Sequence, residues 1–350
     1  MGARRTRVLV VDDSALFRTL VSETLATDPE LEVVAAVPDP QAAWAAIKAH
    51  QPDVLTLDIE MPRMDGLTFL DLLMANHPLP VVLVSSLTGR GDDIALRALQ
   101  QGAIEVVQKP TTDLAESYTA LAHELISKVK EAALARPRRG APRAALDPTA
   151  AARAAPTFRS TRMVIAVGAS TGGTEAVATL IAGLPAESPG LVIVQHMLTR
   201  FTAPFAQRLD GLGAVRVREA RDGDRVLVGH ALLAPGGRHL RLRRDGAQYL
   251  VRLDDAEPVS GHRPSVDVLF ESCAVAAGRN AVGVILTGMG ADGAVGMKAM
   301  HDAGARTLAQ DEKTCVVFGM PKEAIARGGV DQILPLEGLA AAALVAARGS

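Results

Sequence analysis

Residues 164–173, VIAVGASTGG, carry an apolar run into small residues around a single serine, Ser170. Gly168, Ser170 and Gly172 form a G-x-S-x-G turn, whose small neighbours let a serine oxygen stand clear of the backbone. Such a turn also binds phosphate, because free amides at a helix start favour anions. The dinucleotide version of that site requires G-x-G-x-x-G and an acid about 20 residues further on. Here the following stretch, GLVIVQH at 190–196, brings no acid, and no Walker lysine follows the glycines. A nucleophile needs a base and an orienting carboxylate instead. His196 ends the next apolar run, and Asp292 follows a later one, AVGVILTG. An imidazole that takes the hydroxyl proton, itself held by a buried acid, makes serine a competent nucleophile at neutral pH. The chain order Ser, His, Asp differs from the Ser, Asp, His order of α/β-hydrolases. Gly288-Met289-Gly290 offers backbone amides beside Asp292 for a tetrahedral oxyanion, and Thr171 follows the serine.

A second constellation lies nearer the start. RVLVVDD ends in Asp12 and Asp13, DVLTLD ends in Asp58, PVVLVSS contains Ser85, and VVQKP places Lys109 before a proline. Packed carboxylates repel one another unless a divalent cation joins them, and Mg²⁺ prefers oxygen ligands. A lysine and a hydroxyl at the same edge would receive a phosphoryl group placed on one of the acids.

Both constellations require strands that deliver these residues to one edge. From residue 6 to 130, short β-branched runs alternate with helical stretches such as SALFRTLVSETLA and QAAWAAIKAH, the pattern of a parallel sheet covered on both faces. The pattern stops between Ala135 and Arg162, a segment with seven arginines against one aspartate, and resumes at Met163. The expected organisation is α/β: a doubly wound domain over residues 1–130, a flexible Ala/Pro/Arg-rich linker over 131–160, and a larger Rossmann-like three-layer domain over 161–350. Around LRLRRDGAQYLVRL the period falls to two, predicting a β-hairpin with Asp245-Gly246 between the strands.

Composition sets outer bounds. The 350 residues are 48% hydrophobic and 22% charged, with a net charge of −2, so no global field recruits nucleic acid or an anionic membrane. No apolar run reaches the length of a spanning helix, and the first residues make a poor secretion signal. Cys273 and Cys315 stand apart from each other and from ligand spacings, as two reduced buried thiols of a cytoplasmic protein would.

The motifs VVDDSALFR, LDIEMPRMDG, VVLVSSLT and VVQKP resemble the receiver domain of two-component response regulators. That resemblance implies a flavodoxin-like fold with Asp58 as phosphoacceptor. Asp13, Asp58 and the main-chain carbonyl of Glu60 would hold Mg²⁺, with Asp12 supporting the metal, Ser85 as the switch hydroxyl and Lys109 paired with the phosphoryl group. GASTGGTEA, IVQHM, LAPGGRHL, HRPSVDVLF, GVILTGMGADGA and VVFGMPKEAI extend the likeness over nearly the whole chain: it resembles the chemotaxis response regulator protein-glutamate methylesterases, the CheB family. Carried over by position, the family triad falls on Ser170, His196 and Asp292, with the Met289 amide as oxyanion donor and Thr171 and His262 as further site residues. Leu198 stands where the family usually has proline. The resemblance implies hydrolysis of glutamate methyl esters, and deamidation of selected glutamines, on methyl-accepting chemotaxis receptors. A chemotaxis histidine kinase would be the phosphodonor, the receiver would act as a gate, and the hydrolase domain would need no cofactor. Two other readings remain open on the residues alone: a receiver-controlled binding domain in which Ser170 merely packs, and an esterase for small metabolites. A DNA-binding output is disfavoured, because the C-terminal part carries neither a helix-turn-helix nor a concentrated basic face.

Overall fold

The computed structural model describes residues 4–62, 64–85, 91–109, 114–136 and 163–348. The chain divides into two compact units, residues 1–143 and 144–350. The arginine-rich segment 137–162, most of the expected linker, lies outside the described residues.

In the first unit, strands β1 (Thr6–Val11), β2 (Leu31–Val37), β3 (Val54–Leu57), β4 (Val81–Ser85) and β5 (Glu105–Gln108) alternate with helices. These are α1 (Ala15–Ala26), α2 (Pro40–His50), α3 (Gly66–Asn76), α4 (Gly91–Gln100) and α5 (Leu114–Ala133). The last helix takes in the first three residues of the expected linker, 131–133. The sheet order is β2-β1-β3-β4-β5, entirely parallel. Every residue of β3 and β4 is buried, which explains why these strands, VLTL and VVLVS, read as nearly continuous apolar runs rather than alternating ones. Helix starts are set locally: the side chains of Ser14, Asp39 and Asp65 each accept the amide three residues on, and Pro40 occupies a first-turn position that needs no N–H donor.

The second unit holds β6 (Val164–Ala169), α6 (Gly173–Ala182), β7 (Gly190–Gln195), α7 (Thr199–Asp210), β8 (Arg216–Glu219), β9 (His230–Leu233), the hairpin β10 (His239–Asp245) and β11 (Gln248–Asp254), and α8 (Val266–Ala276). It continues with β12 (Ala281–Ile285), α9 (Ala294–Asp302), β13 (Arg306–Gln310), α10 (Met320–Ala326), β14 (Gln332–Leu334) and α11 (Leu336–Arg348). Seven strands form one parallel sheet in the order β14-β13-β12-β6-β7-β9-β8. Helices α6, α7 and α11 pack as one group, while α8, α9, α10 and the hairpin form another. The hairpin's inward residues Leu240, Leu242, Tyr249, Val251 and Leu253 share a core with Val266, Phe270 and Met297.

Three elements escaped the sequence pattern: α10, β14 and α11. A three-residue strand offers no period to read, and α11 is a run of alanine and leucine with little polar contrast. The hairpin turn also differs by one residue. Asp245 pairs with Gln248, so the loop is Gly246-Ala247, with Gly246 at φ +58°. Among the described residues no helix is long and apolar enough to cross a membrane.

Candidate functional site

The second sheet reverses its winding between β6 and β12. From β6 the chain builds outward to β7, β9 and β8; β12 then pairs with the other side of β6 and leads to β13 and β14. A crevice forms at such a switch point, outside the carboxyl ends of the strands. Ser170 follows β6, His196 follows β7, and Asp292 lies in the loop between β12 and α9.

The turn carrying Ser170 is shaped by its glycines. Gly172 sits at φ +75°, and a Cβ there would meet Val316 at 2.5 Å. The amide of Gly173 donates to the Ser170 carbonyl at 2.7 Å, tightening the turn into α6, and the Ser170 amide donates to the Thr287 carbonyl at 3.0 Å. Gly288 approaches so closely that a Cβ on it would lie 2.9 Å from the Ser170 Cβ. The loop after β12 therefore stands directly beside the serine.

His196 and Asp292 are joined. The imidazole Nε2 lies 2.8 Å from Asp292 Oδ2. With an ionised carboxylate as acceptor, Nε2 is the donor, which in the neutral ring leaves the lone pair on Nδ1. Nδ1 is buried and has no hydrogen-bond partner among the described residues, so the serine-to-imidazole bond is not closed in this structure. His262 stacks on the same ring, with centroids 3.8 Å apart and planes 13° from parallel.

Asp292 is 1% exposed and fully engaged. Its Oδ1 accepts the Ser265 hydroxyl at 2.7 Å and the Asp267 amide at 3.0 Å; its Oδ2 accepts the Val266 amide at 2.7 Å as well as His196. The carboxylate thus caps the positive end of α8. Burial pushes its pKa upward, but His196, the Asp267 amide and the Ser265 hydroxyl outweigh that and hold it at about 2.

Of the supporting residues, Met289 is half-buried in the loop beside Ser170, and its amide donates to no protein acceptor among the described residues. Thr171 is buried, and its carbonyl accepts the Thr287 hydroxyl at 2.9 Å. Sequence reasoning missed Gln195, Ser265, Asp267 and Thr287. The Gln195 side-chain amide donates to the carbonyls of both Ser170, at 2.9 Å, and His196, at 3.0 Å. A polar residue ending an otherwise apolar strand was the available clue for Gln195, and a serine opening a helix was the clue for Ser265.

At the edge of the first sheet, Asp12, Asp13 and Asp58 bring one carboxylate oxygen each within 4.8 Å of one another. Lys109 Nζ contacts Asp12 Oδ2 at 2.6 Å and Asp58 Oδ2 at 2.7 Å, and all three side chains are buried. Asp13 is exposed. The Glu60 amide donates to Asp58 Oδ1 at 3.3 Å, and the buried Ser85 ends β4 with its carbonyl accepting the Lys109 amide at 2.8 Å. Burial raises the Asp58 pKa; Lys109 and the Glu60 amide oppose the rise, and Asp12 adds to it. A mostly buried set of carboxylate oxygens fits a hard divalent cation.

Residues 165–343 match the family described as CheB methylesterase, and residues 8–120 match the response regulator receiver domain. A protein-glutamate methylesterase/protein-glutamine glutaminase of Bordetella pertussis is 56% identical over 334 residues, 95% of each chain. One named protein-glutamate methylesterase/protein-glutamine glutaminase 2, of Pseudomonas aeruginosa, is 55% identical over 345 residues, 98% of each chain. Among solved structures, the CheB methylesterase catalytic domain of Thermotoga maritima aligns with a TM-score of 0.51 and 36% identity, covering 52% of this chain and 97% of that one. The chain belongs to the CheB methylesterase family and joins the methylesterase domain to a response regulator receiver domain.

Proposed function

We propose that the protein hydrolyses glutamate γ-methyl esters on methyl-accepting chemotaxis receptors, and deamidates selected receptor glutamines, under control of phosphorylation at Asp58. The observation that carries the hydrolytic reading is the buried Asp292–His196 pair at the rim that also bears Ser170. Asp292 keeps the proton on Nε2, so Nδ1 is the base. With substrate bound, Nδ1 takes the Ser170 proton as Oγ bonds the ester carbonyl carbon; catalytic hydrogen bonds of this kind often close only in the complex. Amides of the Met289 loop donate to the developing oxyanion, where losing one donor typically costs roughly 10² to 10³ in rate. The C–O bond to the leaving group breaks, and methanol departs with the proton from Nδ1. Water then repeats the sequence on the acyl-serine and leaves a glutamate carboxylate. For a glutamine side chain the leaving group is ammonia.

In the receiver domain Asp58 accepts the phosphoryl group from a chemotaxis histidine kinase, Lys109 pairs with it, and Ser85 reports it. Asp12, Asp13, Asp58 and the Glu60 carbonyl would hold Mg²⁺, which supplies charge neutralisation for phosphoryl transfer. The added charge, about −1.5 to −2, biases the hydrolase between inactive and active populations. The reaction takes place in the cytoplasm, on the cytoplasmic receptor helices.

The test is to incubate the chain with methyl-labelled receptor, with and without a small phosphodonor, and count volatile label. Release is expected, rising with phosphodonor and absent in Ser170→Ala. Release that persists in Ser170→Ala overturns the nucleophile assignment. Equal rates for the unphosphorylated full chain and a chain beginning near Thr157 overturn the control by Asp58.

A further inference from the structure

Two helices near the candidate site exchange their N-terminal caps. Asp292, just before α9, caps α8 through the amides of Val266 and Asp267. Asp267, in the first turn of α8, returns the contact: its Oδ1 accepts the Gly296 amide of α9 at 2.7 Å, and the Gly293 amide also bonds its carboxyl. Gly293, the residue that opens α9, has no side chain to cap the helix. Asp267 supplies that missing cap from another element, which is how first-turn amides are ordinarily satisfied when the local sequence lacks an acceptor.

The packing admits little slack. A Cβ on Gly296 would lie 2.6 Å from Phe270 Cβ and 2.8 Å from the Asp267 carbonyl oxygen, and a Cβ on Gly293 would meet Val266 Cγ1 at 2.6 Å. The two helix starts are in direct backbone contact, and both aspartates are nearly inaccessible, at 1% and 5% exposure. Surface solubility does not explain an aspartate buried there.

We infer that Asp267 is a positioning residue for the hydrolytic reaction: by holding the start of α9 on the start of α8, it sets where Asp292 meets His196 and where the Met289 loop stands against Ser170. It touches neither substrate nor reacting atoms. Loosening this contact lets the loop from Gly288 to Gly293 move as a unit, so the acid and the oxyanion donors shift together. The effect falls on the turnover step and leaves receptor binding alone.

The inference rests on the hydrolytic reading above, and the experiment separates the two. Steady-state methanol release from methylated receptor is measured for the full-length wild type, Ser170→Ala, Asp267→Ala, Asp267→Ser and Asp267→Asn, each with its thermal midpoint. Asp267→Ala and Asp267→Ser are expected to lose about tenfold in kcat with KM unchanged. Asp267→Asn, which retains an acceptor at the Oδ1 position, is expected to recover at least half of the wild-type kcat. Asp267→Ser is the milder truncation, and it decides the matter if the alanine variant fails to fold. The inference is overturned if the folded truncations keep kcat within twofold of wild type, if KM carries the change, or if asparagine does no better than serine. A wild type that releases no methanol strikes instead at the hydrolytic reading.

Discussion

The carboxylate of Asp292 grips His196 Nε2 at 2.8 Å while the same two oxygens hold the amides that start α8. One acid therefore serves as helix cap and imidazole anchor together. An asparagine there has a single acceptor oxygen, and its amide nitrogen presents a donor either to a helix amide or to the ring nitrogen. Asp292→Asn is expected to lower kcat by roughly 10³ to 10⁴, through the wrong imidazole tautomer. The methanol-release assay checks this, with the folded state verified by circular dichroism.

Gln195 ties Ser170 and His196 together through their backbones. Its side-chain amide is the donor to both carbonyls, and Gln195→Ala leaves the His196 carbonyl short of a partner in a buried strand end. The expected cost is about 1 to 3 kcal/mol of stability. It comes with a fall in kcat, because the spacing between the Ser170 turn and His196 is no longer held. Chemical denaturation and turnover, measured on the same preparation, test both parts.

The two buried aspartates titrate in opposite directions. Asp292 is held at about 2, below its ordinary 3.8, so its stabilising contribution is present above pH 4 and is lost as pH falls toward 2. Asp267 is pushed up to about 6, mainly by burial and further by Asp292 and Glu271, against the Gly296 and Gly293 amides. Its unfolded form therefore loses the proton first, and its contribution to stability falls as pH rises from 4 through 6, by up to about 3 kcal/mol. Asp267→Asn removes that fall. Thermal midpoints at pH 4.5 and 7.5 are expected to move in favour of the variant at the higher pH; a pH-independent difference would contradict the assignment.

In the receiver domain, Lys109 neutralises two buried carboxylates, Asp12 and Asp58. Removing it leaves them facing each other, so Lys109→Ala is expected to push the Asp58 pKa higher still. Phosphoryl incorporation from a small phosphodonor should be lost in Asp58→Asn and on chelation of divalent cations, and kept in Ser170→Ala. Acid-stable label in Asp58→Asn would assign the phosphoacceptor elsewhere.

Much of this molecule was legible from its sequence, and for a definite reason. Parallel strands buried on both faces appear as apolar runs, and chemistry gathers where such runs stop, so Asp12, Asp58, Ser170 and His196 stood out as polar residues at the ends of β1, β3, β6 and β7. The tertiary structure decided what met what. That β12 pairs with β6, across more than a hundred residues, follows from which strand faces the helices on each side can jointly bury, and no local pattern states it. Nor could spacing reveal that Ser265 and Asp267 converge with Asp292, because that contact arises where two helix starts approach through Gly293 and Gly296. The chain spells out its reactive groups locally, while close packing between distant segments sets their geometry.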